Sequence, residues 1–337
     1  MTDLSTSYMG LALRNPLVAS ASPLSKTIDG VRRLADGGVG AVVLYSLFEE
    51  DLRREAAQNA ALVAAAAESF PEALSFFPAA AEETGPRQYL SLLERAASAV
   101  PIPVIASLNG VTPSGWVDYA RAMQDSGAAA VELNIYDRPG DSDVTRPDGA
   151  RRHVEIVARV KEAVTVPVAV RLSPHFSATG ELAMRLDDAG VDALVLFNRF
   201  LQPDIDPEAL AVAVPDVALS SRGESRLART WIAILHGRVQ ASLAATTGVE
   251  TASDVAKYLL AGADVVMTAS ALLRDGPEHA AVLLDGLSEW MTRKGFEDVP
   301  ALRGMLATAV GADDPAYGRA GYVDALQRAN TGVYNRW

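Results

Sequence analysis

Short apolar runs alternate with longer amphipathic stretches along most of the chain. Runs of this kind, bounded by small and polar residues, predict strands over Leu17–Ser20, Ala41–Ser46, Val104–Leu108, Val131–Ile135, Val168–Leu172, Ala193–Phe197, Gln240–Ala245 and Val265–Ala269. Helical periodicity between them predicts helices over Ile28–Asp36, Gly115–Ser126, Ala150–Val164, Glu181–Ala189, Ser225–Leu235, Ala252–Ala261 and Pro277–Met291. The connection 47–102 is longer than the others, and its Ala-rich part, Glu55–Glu68, reads as helix by propensity. Four phrases repeat at helix ends: DGGVGAVVL, DSGAAAVEL, DAGVDALVL and AGADVVM. In each a glycine stops a helix and small residues lead into the next strand.

Strands alternating with helices make this an α/β chain, and the strand count favours a (β/α)8 TIM barrel over an open doubly wound sheet. No Gly/Ser/Pro-rich linker divides the 337 residues, so one domain is expected, with the barrel over about 17–292 and a tail over 293–337. Residues 5–16 predict a small N-terminal hairpin across the barrel bottom, and the C-terminal extension is expected to pack along the outside.

In such a barrel the carboxyl ends of the strands build the site. The fourth predicted strand ends in VELNIYDRP, where an apolar run carrying Glu132 and Asn134 breaks into a polar cluster. The other strand ends offer Ser20, Tyr45, Asn109, then Arg171 with Ser173 and His175, then Asn198, Thr246-Thr247-Gly248 and Thr268-Ala269-Ser270. Asparagine at three ends, beside an arginine, suits a planar ligand with many hydrogen-bonding groups, although a single Asn there is more often a turn former. The small residues ending strands seven and eight suit backbone donation to a phosphate. His175 is an acid/base candidate, because an unperturbed imidazole titrates near neutrality. His153 and His279, in helical stretches, are expected at the surface, and His236 as a cation at a helix C-terminus.

Composition narrows the chemistry. A net charge of −12 speaks against nucleic-acid binding. Cysteine is absent, which removes disulfides, thiolate metal ligands and any Cys nucleophile; with four histidines and no HExxH spacing, no metal site is expected. No apolar stretch approaches the ~18 residues of a membrane span, and the N-terminus has no signal-peptide pattern. A cytoplasmic protein away from membranes is the expectation.

The phrases NPLVASASP, GAVVLYS, SLNG, VELNI, VPVAVRLSP, LVLFN and TTGVETASDVAKYLLAGADVVMTASALL, in that order from about residue 8 to residue 290, resemble the dihydroorotate dehydrogenase family. The likeness is strongest to the bacterial dihydroorotate dehydrogenase-like proteins, whose tails also carry phrases like DPAYGRAGYVDAL. The resemblance implies FMN at the barrel mouth, oxidoreduction at a CH–CH bond and a place in pyrimidine metabolism. It puts the FMN phosphate against Thr247-Gly248 and Ala269-Ser270, Ala19 and Ser20 facing the ring, and Asn109, Asn134, Arg171, Tyr45 and Asn198 around ring and substrate. Arg171 stands where the family has a flavin-tuning lysine, and Tyr45 where it has a second lysine.

The family phrase Asn-Ile-Ser-Cys-Pro-Asn reads Asn134-Ile135-Tyr136-Asp137-Arg138-Pro139 here. Asp137 falls where the family's base would be; pairing with Arg138 or Arg171 is the other reading of it. The rewritten loop predicts a substrate other than dihydroorotate itself, a dihydropyrimidine or related small molecule. With no membrane-targeting segment a soluble acceptor is expected rather than a quinone, and with no cysteine any iron–sulfur relay is expected on a redox partner protein. A homo-oligomer is expected. The rival functions are a catalytically degenerate FMN-binding or partner subunit, and a flavin-free phosphate-binding aldolase or isomerase barrel.

Overall fold

The computed structural model describes residues 2–51, 85–110, 116–135, 149–199, 204–213, 219–310 and 317–332. The chain begins with an antiparallel hairpin, β1 (Thr6–Tyr8) and β2 (Leu11–Leu13). There follow β3 (Leu17–Ala19), α1 (Ile28–Asp36), β4 (Ala41–Val43), the short β5 (Leu47–Phe48), α2 (Pro86–Ala99), β6 (Val104–Gly110), α3 (Trp116–Asp125), β7 (Ala130–Ile135), α4 (Gly149–Ala163), β8 (Val168–Leu172) and α5 (Thr179–Asp188). The second half contains β9 (Ala193–Leu196), a protruding hairpin of β10 (Asp204–Asp206) and β11 (Ala211–Ala213), α6 (Ser225–Leu235), β12 (Ser242–Ala245), α7 (Ala252–Ala261) and β13 (Val265–Thr268). It ends with α8 (Ser270–Asp275), α9 (His279–Lys294), α10 (Val299–Leu302) and α11 (Arg319–Gly332). The helix expected over Glu55–Glu68 lies outside the described residues.

Strands β3, β4, β6, β7, β8, β9, β12 and β13 pair in parallel, each with the next, and β13 returns to β3 through Val266↔Leu17 and Met267↔Val18. That last pairing closes the ring and excludes the open sheet. Each barrel strand overlaps its predicted run. The repeated helix-end phrases place Gly127, Gly190 and Gly262 at φ +89, +81 and +116, where a side chain would be strained.

Two apolar cores result. The larger lies between sheet and helices and takes Val131, Leu133 and Ile135 from β7, with Leu93 and Ile156 from the helices facing it. The smaller fills the barrel and is built of short side chains, Ala41, Ala130, Ala169, Ala193 and Ala244 among them, with Tyr8, Met9 and Leu13 of the hairpin packed in. The alternation in VELNI is therefore inverted relative to a solvent-facing sheet: its apolar residues face the helices, and Glu132 and Asn134 share the opposite, inner face.

The hairpin docks where strands begin. Thr6 Oγ1 donates to Asp264 O at 3.1 Å, just before β13, and the Met9 amide donates to Ser242 Oγ, the start of β12, at 3.0 Å. This is the barrel bottom, as the sequence predicts. The segment after α9 runs along the outside, with Gly304, Leu306 and Thr308 amides donating to Leu259, Leu260 and Ala233 carbonyls.

Two histidine expectations need correction. His153 is fully buried, its Nδ1 2.7 Å from Gly149 O and its ring edge-on to Phe176, because the helical face carrying it turns inward with Ile156 and Val157. His236 is half-buried beneath the C-terminal segment, with Nδ1 3.2 Å from Gly262 O and Gly304 packed on its ring. Burial, then the nearby Arg303 cation, lowers its pKa against the raising effect of the Gly262 carbonyl, so it is neutral rather than a capping cation at neutral pH.

An unfolded histidine takes up a proton near pH ~6.5, while folded His236 resists until lower pH. Its contribution to stability is complete above that value and lost as pH falls from it towards the folded pKa. Thermal unfolding followed across pH 7.5 to 5 should show a loss on acidification that is smaller in His236→Gln; parallel curves would discard the role.

Candidate active site

The carboxyl ends of the barrel strands open into a cleft of about 530 Å3. Its lining brings together Ser20, Asn109, Asn134, Arg171, Asn198, Thr247, Gly248, Ala269 and Ser270, each of them expected there from the sequence. Ala19, 1% exposed, belongs instead to the core between sheet and helices. Tyr45 also packs away from the cleft lining, its ring 5.1 Å from that of Tyr89 in an edge contact, with Lys26 Nζ 5.5 Å above it. His175 is exposed and lines a neighbouring cavity of about 420 Å3 with Phe197, Leu227 and Arg226. The two cavities share Asn198, Arg199 and Thr247. Asp137, with Tyr136, Arg138 and Pro139, lies outside the described residues.

Strand register builds the polar wall. Asn109 pairs across from Asn134, and Asn134 from Arg171, so three adjacent strands hold the three side chains abreast. One layer below, Ser107 pairs with Glu132. Asn134, 3% exposed, donates through Nδ2 to Ser107 Oγ at 3.0 Å. Ser107 is itself bracketed by Ser46 Oγ at 2.9 Å and by the Tyr89 hydroxyl, which accepts from its amide at 2.8 Å. Burial pushes the Tyr89 hydroxyl pKa well above the usual tyrosine value, so it stays a neutral donor and acceptor.

Arg171 is the hub. Its Nη1 lies 3.1 Å from Ser20 Oγ and 3.2 Å from Glu132 Oε1, and its Nη2 lies 3.2 Å from Thr246 Oγ1. The guanidinium thus ties β8 to the middle of β7 and to the residues that follow β3 and β12. Glu132 lies within VELNI, outside the strand-end residues, and its inward direction follows from its alternation with Leu133 in step with Asn134.

The corner at β12 and β13 is made of backbone and hydroxyls. Thr247 and Gly248 have φ +81 and +69. A threonine in that region costs on the order of 1–3 kcal/mol and persists only where its surroundings over-determine it. Here Tyr258 does so: its buried hydroxyl lies 3.0 Å from Thr246 O and 2.8 Å from Thr247 O. A Cβ on Gly248 would stand 2.6 Å from Ser221 O, so the loop before α6 closes directly over it. From that loop Ser220 Oγ accepts the Gly248 amide at 3.2 Å, and Ser220 meets Ser270 Oγ through its amide and its hydroxyl, both at 3.0 Å.

The loop is anchored in turn by Asp254 at the start of α7. Its carboxylate accepts from Thr251 Oγ1 at 2.8 Å and pairs with Arg222 Nε at 3.2 Å. Burial raises the Asp254 pKa, but the Thr251 hydrogen bonds and Arg222 outweigh it and hold the carboxyl below its ordinary value. Ser220 was not foreseen from the sequence, because nothing local shows that a loop after strand six reaches strand eight.

Among the described residues no cluster of three or more His, Asp or Glu side chains could hold a metal, and no helix is long and apolar enough to cross a membrane. The model of the dihydroorotate dehydrogenase family matches residues 3–291. The chain is 26% identical over 309 residues to the catalytic subunit of dihydroorotate dehydrogenase B (NAD(+)) of Methanothermobacter thermautotrophicus, covering 90% of this chain and 98% of that relative. Similar catalytic subunits match in Methanocella arvoryzae, at 29% identity over 86% of this chain and 93% of the relative, and in Halalkalibacterium halodurans, at 31% over 61% and 68%.

Tyr258→Phe tests how the corner is held. Buried carbonyls left without their donor cost about 1–3 kcal/mol. Chemical denaturation should show a loss of that size with the fold retained; an unchanged midpoint would mean the Thr246–Thr247 backbone is supported elsewhere.

Proposed function

The chain belongs to the dihydroorotate dehydrogenase family, and on that footing we propose an FMN-dependent oxidoreductase that acts on the CH–CH bond of a dihydropyrimidine or similar small molecule. The observation carrying the reading is a single cleft in which a multiply bonded arginine, three asparagines and a hydroxyl-lined backbone corner converge.

The residues present fit FMN. A cleft of about 530 Å3 is within the range of cofactor sites. At the phosphate corner Ser270 Oγ accepts from the Ser220 amide and hydroxyl, which leaves the Ser270 hydroxyl hydrogen to donate to a phosphate. Thr247, where the family has glycine, turns its hydroxyl to within 3.5 Å of Phe197 O, and so need not fill the corner. When bound, FMN would supply the hydride-accepting ring. Arg171 would place N–H donors beside the ring, a different arrangement from the family's ammonium because the guanidinium is a fixed fork. Asn109, Asn134 and Asn198 would orient ring and substrate through donors and acceptors. Asp137, assigned by its place in the sequence, would take the substrate's carbon-bound proton, and His175 in the adjoining cavity is the next candidate. The relatives named as catalytic subunits support a partner polypeptide as electron acceptor, and with no cysteine in this chain any iron–sulfur cluster with Cys ligands would sit on that partner.

The Tyr-Asp-Arg-Pro rewriting also motivates the second reading, a flavin-binding subunit without turnover. A yellow protein bleached by dithionite but by no dihydropyrimidine would favour it.

Two variants examine the assignment. Ser270→Glu sets a carboxylate against the phosphate corner, where like charges in a confined site repel strongly; the protein should fold but lose its flavin, and stoichiometric FMN in the variant would put the phosphate elsewhere. Asp137→Asn should keep its flavin and its dithionite reduction while substrate-driven bleaching slows by ~10²-fold, the usual cost of a lost general base. Dihydroorotate should bleach either form poorly in an anaerobic screen, because Tyr136, Arg138 and Pro139 replace the loop that would grip it. Full activity in the Asn variant would return Asp137 to an ion-pair role.

A further inference from the structure

Glu132 is a buried charge that the proposed chemistry leaves unused. Its side chain is 1% exposed, on the inner face of β7, and Oε1 meets Arg171 Nη1 at 3.2 Å. Glu132 Oε2, Arg171 Nε and the Tyr8 hydroxyl are buried with no hydrogen-bond partner among the described residues. Tyr8 senses both charges: burial raises its pKa most, then Glu132, while Arg171 lowers it. Unspent donors and acceptors gathered in a barrel interior are expensive, and a buried pair is weak evidence for stability alone. Something else must account for a carboxylate here.

The other contacts of Arg171 show what it could be. Ser20 and Thr246 both line the cleft, and the guanidinium reaches both from below. An arginine bonded only to two hydroxyls would carry a full, rotatable positive charge into the site. Glu132 stands beneath it, fixes the rotation of the fork and cancels its net charge.

We propose that Glu132 is a positioning residue: it aims the Arg171 guanidinium at the cleft and neutralises it, so that the cofactor meets directed N–H donors rather than an uncompensated cation. The inference rests on the flavin reading. It sets the redox poise of the site, because a nearby cation stabilises the negatively charged reduced cofactor, and Glu132 restrains that effect.

The midpoint potential of the bound flavin, measured anaerobically against a reference dye, reads this directly. Glu132→Gln keeps the shape and removes the charge, and should raise the potential by at least the equivalent of tenfold in the reduced-to-oxidised ratio, about 30 mV for a two-electron couple. An unmoved potential in a flavin-loaded variant overturns the proposal. Should that variant fail to fold, Arg171→Gln is compared with Glu132→Gln/Arg171→Gln. The single variant leaves a carboxylate beside the cofactor and should show a lower potential or a new pH dependence of it; the double variant should show neither. Identical potentials at every pH in those two proteins overturn the proposal equally. Wild-type protein that binds no flavin sinks the functional reading and the inference together, whereas bound flavin with unshifted potentials sinks the inference alone.

Discussion

A carboxylate and a guanidinium paired inside a parallel barrel set the terms for much of this structure. Removing two charges from water is costly, and breaking such a pair by deleting one partner typically costs about 3–5 kcal/mol. The pair therefore needs room, closure and neighbours. Room comes from the alanines at 41, 130, 169, 193 and 244, which leave the barrel interior wide enough for two long polar side chains. Closure comes from below, where Tyr8, Met9 and Leu13 pack into the same interior. The neighbours are Ser20 and Thr246, whose hydroxyls accept from Nη1 and Nη2 of the guanidinium. The N-terminal hairpin is thus part of the site's support, although it lies at the far end of the barrel.

The opposite side of the cleft is built by another principle. It contains little charge; backbone geometry does the positioning. Tyr258 restrains the carbonyls of Thr246 and Thr247, the Gly248 amide of the left-handed turn donates to Ser220 Oγ, and Ser220 ties the loop before α6 to Ser270. The two sides thus differ in kind, a directed ion pair on one and backbone turns with hydroxyls on the other, and the proposed FMN reading relies on both.

The periphery is locked by Asp264. Its carboxylate accepts the Leu243 amide at 2.8 Å and pairs with Arg303, while its carbonyl takes the Thr6 hydroxyl. One residue before β13 therefore joins the N-terminal hairpin, the barrel wall and the C-terminal segment, beside the neutral His236. Segments distant in sequence are held at the barrel's lower edge by one acidic side chain and its own backbone.

The eight alternating strands and helices were legible in the sequence, because strand and helix periods are local properties and glycines such as Gly127, Gly190 and Gly262 mark where helices must stop; that the sheet closes rests on the pairing of β13 with β3. The sequence also determined most of the cleft: in a parallel barrel every strand's carboxyl end faces the same rim, so Ser20, Asn109, Asn134, Arg171, Asn198, Thr247, Gly248, Ala269 and Ser270 needed only their strand boundaries to be found. Tertiary structure decided what depended on the direction of a side chain or on contacts between remote segments. Tyr45 sits at a strand end yet packs on Tyr89, and Ala19 faces the helices. His153 is buried because its helical face turns inward. Glu132 meets Arg171 only when register sets β7 beside β8, and Ser220 reaches Ser270 only when a loop crosses the rim. Periodicity specifies which elements form, but pairing register and loop path specify which atoms meet, and those are settled by packing of the whole chain.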